Sequence, residues 1–255
     1  YTNVYKMNEL YLIKYFLEKY RVNYLNKNDL IYSEGLEYNN GDNLLCIFKE
    51  FLYFYNKKYI NCEYKKITSI PILPNVKELV CNNNNLEYLP CLASLKTLNC
   101  SHNKLKSLLM SPTLEILYCN NNELVNLKGL PLIKELSCAN NFLTELPNNM
   151  TFLKKLHCTN NELTMLPTNI VLEELYCTSN NLTSFPENVQ FLKYLRCEEN
   201  NLMELPCKMV NVRELRCDNN NLTELPSDLN SVNILHCSLN NLNTIPFYDN
   251  LLFLH

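Results

Sequence analysis

Leu79-Val80-Cys81-Asn82-Asn83-Asn84-Asn85-Leu86 returns far along the chain as Leu215-Arg216-Cys217-Asp218-Asn219-Asn220-Asn221-Leu222. Its cysteine belongs to a column: Cys62, Cys81, Cys100, Cys119, Cys138, Cys158, Cys177, Cys197, Cys217 and Cys237, each 19 or 20 residues after the last. A fixed period of this length means that one small unit is stacked many times. Five residues before each cysteine an aliphatic residue stands in nine of the ten units, from Val76 to Val232. Two before it comes Ile60 and then always leucine; three after it, asparagine from Asn84 to Asn240; five after it, Ile67 and then always leucine. Eight after it stands another apolar residue, often followed by proline.

The unit reads L-x-x-L-x-C-x-x-N-x-L-x-x-L-P. This resembles a leucine-rich repeat with cysteine at the third apolar strand position, over residues 57–255. The resemblance implies an α/β repeat solenoid, a horseshoe with a parallel concave sheet. The residues support the same expectation. The segment from two before the cysteine alternates in and out with a strand's period. One strand per unit, paired with the next at roughly 4.8 Å, gives a sheet on the order of 48 Å long. A unit of 19 or 20 residues is too short for a long helix, and its return carries proline, so an extended, polyproline-like convex side is expected. Twelve residues after the cysteine, later units place Met150, Ile170, Val189, Met209 and Leu229, where earlier ones have Pro74, Ala93, Pro112 and Pro131. That predicts a convex side changing character along the stack. The later form resembles the short repeats of bacterial effector proteins.

Residues 1–56 fall outside the repeat. Leu10, Ile13, Phe16, Leu17 and Tyr20 recur at helical spacing, and Asp42 can cap a second helix from Leu44 to Tyr55. A helical N-terminal cap over the first rung is expected, since open stacks need capping. At the other end, Leu251 and Leu254 begin an eleventh unit. The open rung predicted there is an edge that can pair with another chain, so self-association is expected.

Thirteen cysteines raise disulfides and metals. Side-by-side Cβ vectors on neighbouring rungs suit bridging poorly, and zinc sites use paired C-x-x-C spacing, which is missing here. The ladder cysteines are read as small buried hydrophobes, without metal or cofactor, in a reducing intracellular compartment. Cys91 and Cys207 lie off the ladder. The asparagine column is expected to hydrogen-bond neighbouring turns to one another.

The formal net charge of −3 gives no nucleic-acid partner, and no apolar run is long enough for a membrane helix. None of the four histidines has a fixed cysteine or carboxylate partner in sequence, and there is no glycine-rich phosphate loop, so no catalytic residue is assigned. The expected function is a non-enzymatic scaffold that binds a protein partner on the concave sheet. Alternatives are the substrate-recognition part of a ubiquitin-ligase-type adaptor or effector, and a thiol-rich metal or redox protein. The residue before each cysteine faces the concave side, and from the fourth unit that column contains Tyr118, His157, Tyr176, Arg196, Arg216 and His236. The column two residues earlier adds Glu174, Tyr194 and Glu214. Tyrosine and arginine are the residues that most often anchor protein interfaces, so these nine are the predicted partner-binding residues. Scarce glycine, absent tryptophan and abundant asparagine, tyrosine and lysine fit an AT-rich genome, and together with the cysteine ladder they resemble the leucine-rich-repeat proteins of giant DNA viruses, with AT-rich protists as a second source. The viral resemblance implies action in host cytoplasm or a virus factory, on host or viral proteins.

Overall fold

The computed structural model describes residues 57–255 apart from Pro71, Met110 and Glu187; the expected helical cap lies outside these residues. Each unit contributes one short strand: β1 Tyr59–Asn61, β2 Glu78–Val80, β3 Thr97–Asn99, β4 Ile116–Tyr118, β5 Glu135–Ser137, β6 Lys155–His157, β7 Glu174–Tyr176, β8 Tyr194–Arg196, β9 Glu214–Arg216, β10 Ile234–His236 and β11 Phe253–Leu254. They form a single parallel sheet in chain order. Every step is in register, so the central leucines align from Ile60↔Leu79 to Leu235↔Leu254.

In β1 to β10 the middle residue, Ile60 or leucine, is buried and its neighbours flank it on the outward face, whereas both residues of β11 are exposed. The cysteine that follows is inward again, and all ten ladder cysteines are buried. Their backbone continues the ladder past the strand: Cys81 N–H donates to Asn99 O and Cys197 N–H to Arg216 O, both at 2.8 Å. Two residues later the chain turns with φ near +55° in every unit, for example Asn83, Asn121, Asn160 and Asn219. Asparagine tolerates this left-handed conformation better than other side chains.

The asparagine ladder forms as expected. Asn180 is representative: its Nδ2 donates to Cys158 O at 3.0 Å, Cys177 O at 3.1 Å and Thr178 O at 3.3 Å. Its Oδ1 accepts the Leu163 N–H at 3.1 Å. A single amide thus serves carbonyls and an N–H that lie inside the stack, where unpaired backbone groups are costly.

No helix forms among the described residues. The convex return instead carries a hydrogen-bonded four-residue turn: Val76 N–H to Leu73 O, Leu95 to Leu92, Leu153 to Met150, Leu192 to Val189, Val232 to Leu229. The core residue on this side is best placed by counting back from the next cysteine. Eight residues before it stand Leu73, Leu92, Leu130, Met150, Val189, Met209 and Leu229, all buried. The expected change in convex character is therefore a shift of register. Units of 20 residues take their extra residue between the proline and this core position, while Pro74, Ala93, Pro112 and Pro131 lie one residue past it. Two units depart from the rule. Ile170 stands seven before Cys177, and Ser111 replaces the apolar residue, with its hydroxyl donating toward Ala93 O at 3.1 Å and Leu95 O at 3.0 Å.

Candidate protein-binding face

The in-register sheet turns each outward column into a ladder of side chains. The column before the cysteines runs Tyr118↔Ser137↔His157↔Tyr176↔Arg196↔Arg216↔His236 across β4 to β10. The parallel column runs Glu135↔Lys155↔Glu174↔Tyr194↔Glu214. Eight of the nine predicted residues therefore lie together on β6 to β10. Tyr118 stands apart on β4, separated from His157 by Ser137, and donates to Glu135 Oε1 at 2.8 Å. Burial, with that carboxylate adding to it, raises its hydroxyl pKa to about 12.

The centre of the face is a stack over three rungs. The His157 and Tyr176 rings lie 4.4 Å apart at 15°, and the Arg196 guanidinium sits 4.9 Å from the Tyr176 ring centroid. Carboxylates from the other column brace the stack at both ends. Glu174 Oε1 is 2.9 Å from His157 Nε2, with Lys155 at 4.0 Å from its other oxygen. Glu214 Oε1 accepts from Arg196 Nε at 3.2 Å and Nη2 at 3.1 Å, and from Arg216 Nε at 2.7 Å. Burial, then the neighbouring Glu174, raises the Tyr176 hydroxyl above its ordinary range. Tyr194 is 37% exposed beside the stack.

Acidic groups line one rim, each held by a short bond: Thr178 Oγ1 to Glu198 Oε2 at 2.6 Å and Ser179 Oγ to Glu199 Oε2 at 2.7 Å. The other rim, four residues before each cysteine, carries Lys58, Lys77, Lys96, Lys134, Lys154, Lys193 and Arg213. Glu115, Glu173 and Asn233 interrupt this row; Glu115 bridges Lys96 at 3.0 Å and Lys134 at 2.6 Å, which holds its carboxyl below the usual range, and Glu173 pairs with Lys193 at 2.8 Å. This row escaped the sequence reading, although the same count from the cysteine finds it. So did an apolar stripe two residues earlier, where Leu132, Phe152 and Phe191 are largely exposed.

The ladder thiols offer little to a metal. Burial raises Cys62 to about 11 and Cys100 and Cys138 to about 12, so they stay protonated and face the core. Cys91 and Cys207 are exposed.

No protein-family model and no curated protein matches the sequence. Solved structures do. YopM, a leucine-rich effector protein of Yersinia pestis, is 25% identical over 97% of this chain and 76% of its own, with a TM-score of 0.71. The functional domain of InlJ from Listeria monocytogenes, described as including a cysteine ladder, is 29% identical over 73% of this chain and 45% of its own, at 0.68. A leucine-rich-repeat protein of Leptospira interrogans is 25% identical over 78% of this chain and 64% of its own, at 0.60. The sheet, the repeat length and these matches define a leucine-rich-repeat solenoid. Within that class the chain carries an inward cysteine ladder, the feature for which the InlJ domain is described.

Proposed function

We propose that the chain is a non-enzymatic scaffold that binds a protein partner on the concave face of β6 to β10. The observation that carries this reading is the braced stack of His157, Tyr176 and Arg196. Flat, amphipathic side chains held before binding lose little rotamer freedom when a partner arrives. The bracing carboxylates are partly buried, with the Glu174 and Glu214 side chains 19% and 16% exposed, so the stack is held in place before a partner arrives. The similarity to an effector protein supports a role in recognition, and the compositional resemblance to giant-virus proteins adds host proteins as the class of partner. The free cysteines fit a reducing compartment. Self-association is proposed as a second contact, through the exposed apolar residues Leu252, Phe253 and Leu254 around β11.

The test is a pull-down with the 255-residue chain against the Tyr176→Ala/Arg196→Ala double variant, after circular dichroism has shown that both fold. Loss of a protein retained by wild type and by the distant Met165→Ser variant supports the concave reading. Equal retention by all three contradicts it. Light scattering of a Phe253→Asp variant addresses self-association separately: a wild-type dimer that dissociates on substitution is expected, and a wild-type monomer at high concentration refutes it.

A further inference from the structure

At the end of the concave face, three successive rungs bring together Asp218, His236 and His255. Each offers one ligand atom, and these atoms all lie within 4.8 Å of one another. The grouping follows from the repeat. His236 and His255 occupy the same outward position on consecutive rungs, and Asp218 follows the cysteine of the rung before. Their rings are stacked at 5.2 Å and 27°. Backbone bonds fix the last rung against its neighbour, with His255 N–H donating to Leu235 O and Cys237 N–H to His255 O, both at 2.9 Å.

We propose that Asp218, His236 and His255 bind a divalent transition-metal ion of the zinc type. Two imidazoles and a carboxylate are the donors such ions prefer, whereas calcium and magnesium ask for more oxygen ligands. Ligand atoms around a tetrahedral ion sit about 3.4 Å apart when bonds are about 2.1 Å, so small side-chain rotations close the site, and His255 is exposed enough to make them. Ser238 braces two of the three ligands. Its N–H donates to Asp218 Oδ1 at 2.9 Å, and its hydroxyl lies 3.2 Å from His255 Nδ1. Outer partners of this kind orient metal ligands. The ladder thiol of Cys237 is buried in the core and is not one of the grouped ligand atoms. The ion staples β9, β10 and β11 together, a role that does not depend on the protein partner proposed above.

The experiment is calorimetric titration of zinc into the full chain with Cys46, Cys91 and Cys207 replaced by serine. Uptake of one equivalent is expected, without response to calcium or magnesium. Asp218→Asn and His236→Gln should each weaken it by more than about 100-fold, and Ser238→Ala by about tenfold. Cobalt substitution should give ligand-field bands without thiolate charge-transfer absorption. Zinc should also slow hydrogen exchange of the His255 amide. The absence of uptake, uptake unchanged by Asp218→Asn and His236→Gln, or a thiolate band each overturns the site.

Discussion

At the scale of single residues, the asparagine ladder shows why one side chain is required at one place. Asn180 both donates and accepts inside the stack. Asn180→Asp keeps the shape and loses the donors. It should destabilise by about 1–3 kcal/mol in urea unfolding, the range for leaving buried polar groups unpaired. The exposed Thr183→Ala should stay within about 0.5 kcal/mol. The left-handed position two after the cysteine gives the opposite sign. Leu239 adopts φ 54° there with its side chain 77% exposed. Leu239→Asn should therefore stabilise by about 1 kcal/mol, since leucine gains no burial there to offset the strain. An unchanged unfolding midpoint for Leu239→Asn would show that the strain is relieved elsewhere.

The strand is the next scale, and here the leucine and cysteine columns act together. Leu195 is 1% exposed beneath Tyr194 and Arg196. Leu195→Ala should cost about 2–5 kcal/mol by thermal or urea unfolding while leaving the outward ladder in place in the folded fraction. The thiols add a pH dependence with a definite sign. Their folded values are raised, so the protonated form favours the fold. That contribution is complete below the ordinary value of 9.0 and is lost as pH rises toward about 12. Urea unfolding should show stability falling through this alkaline window; a flat profile would mean that the thiols ionise as freely folded as unfolded. The strands were legible in sequence because leucine, cysteine and asparagine each keep a fixed distance from one another. The convex side was not, because the forward count of twelve that finds Met150 in a longer unit lands on Pro74, one residue past the core Leu73, in a shorter one.

Over the whole molecule, repetition converts local spacing into two surfaces. Inward columns form one continuous core from Ile60 to Tyr248. Outward columns form ladders whose members were predictable from the repeat. Spacing placed Arg196 beside Arg216 with Glu214 as an acidic neighbour, and the side-chain geometry adds that both share its Oε1. The sequence reading likewise named Asp218 and His236 without joining them to His255, because the shared position emerges only when the eleventh rung is built. The claim beneath all of this is that the regular thiols are packing and the sheet above them is the recognition surface. Native alkylation with iodoacetamide, resolved cysteine by cysteine in a mass spectrometer, tests it most directly. Among the twelve described cysteines, Cys91 and Cys207 should react rapidly, and the ten of the ladder should react only when the protein is unfolded. Ladder cysteines that label as fast as Cys207 in the native protein, or that are found joined in disulfides, would contradict the account.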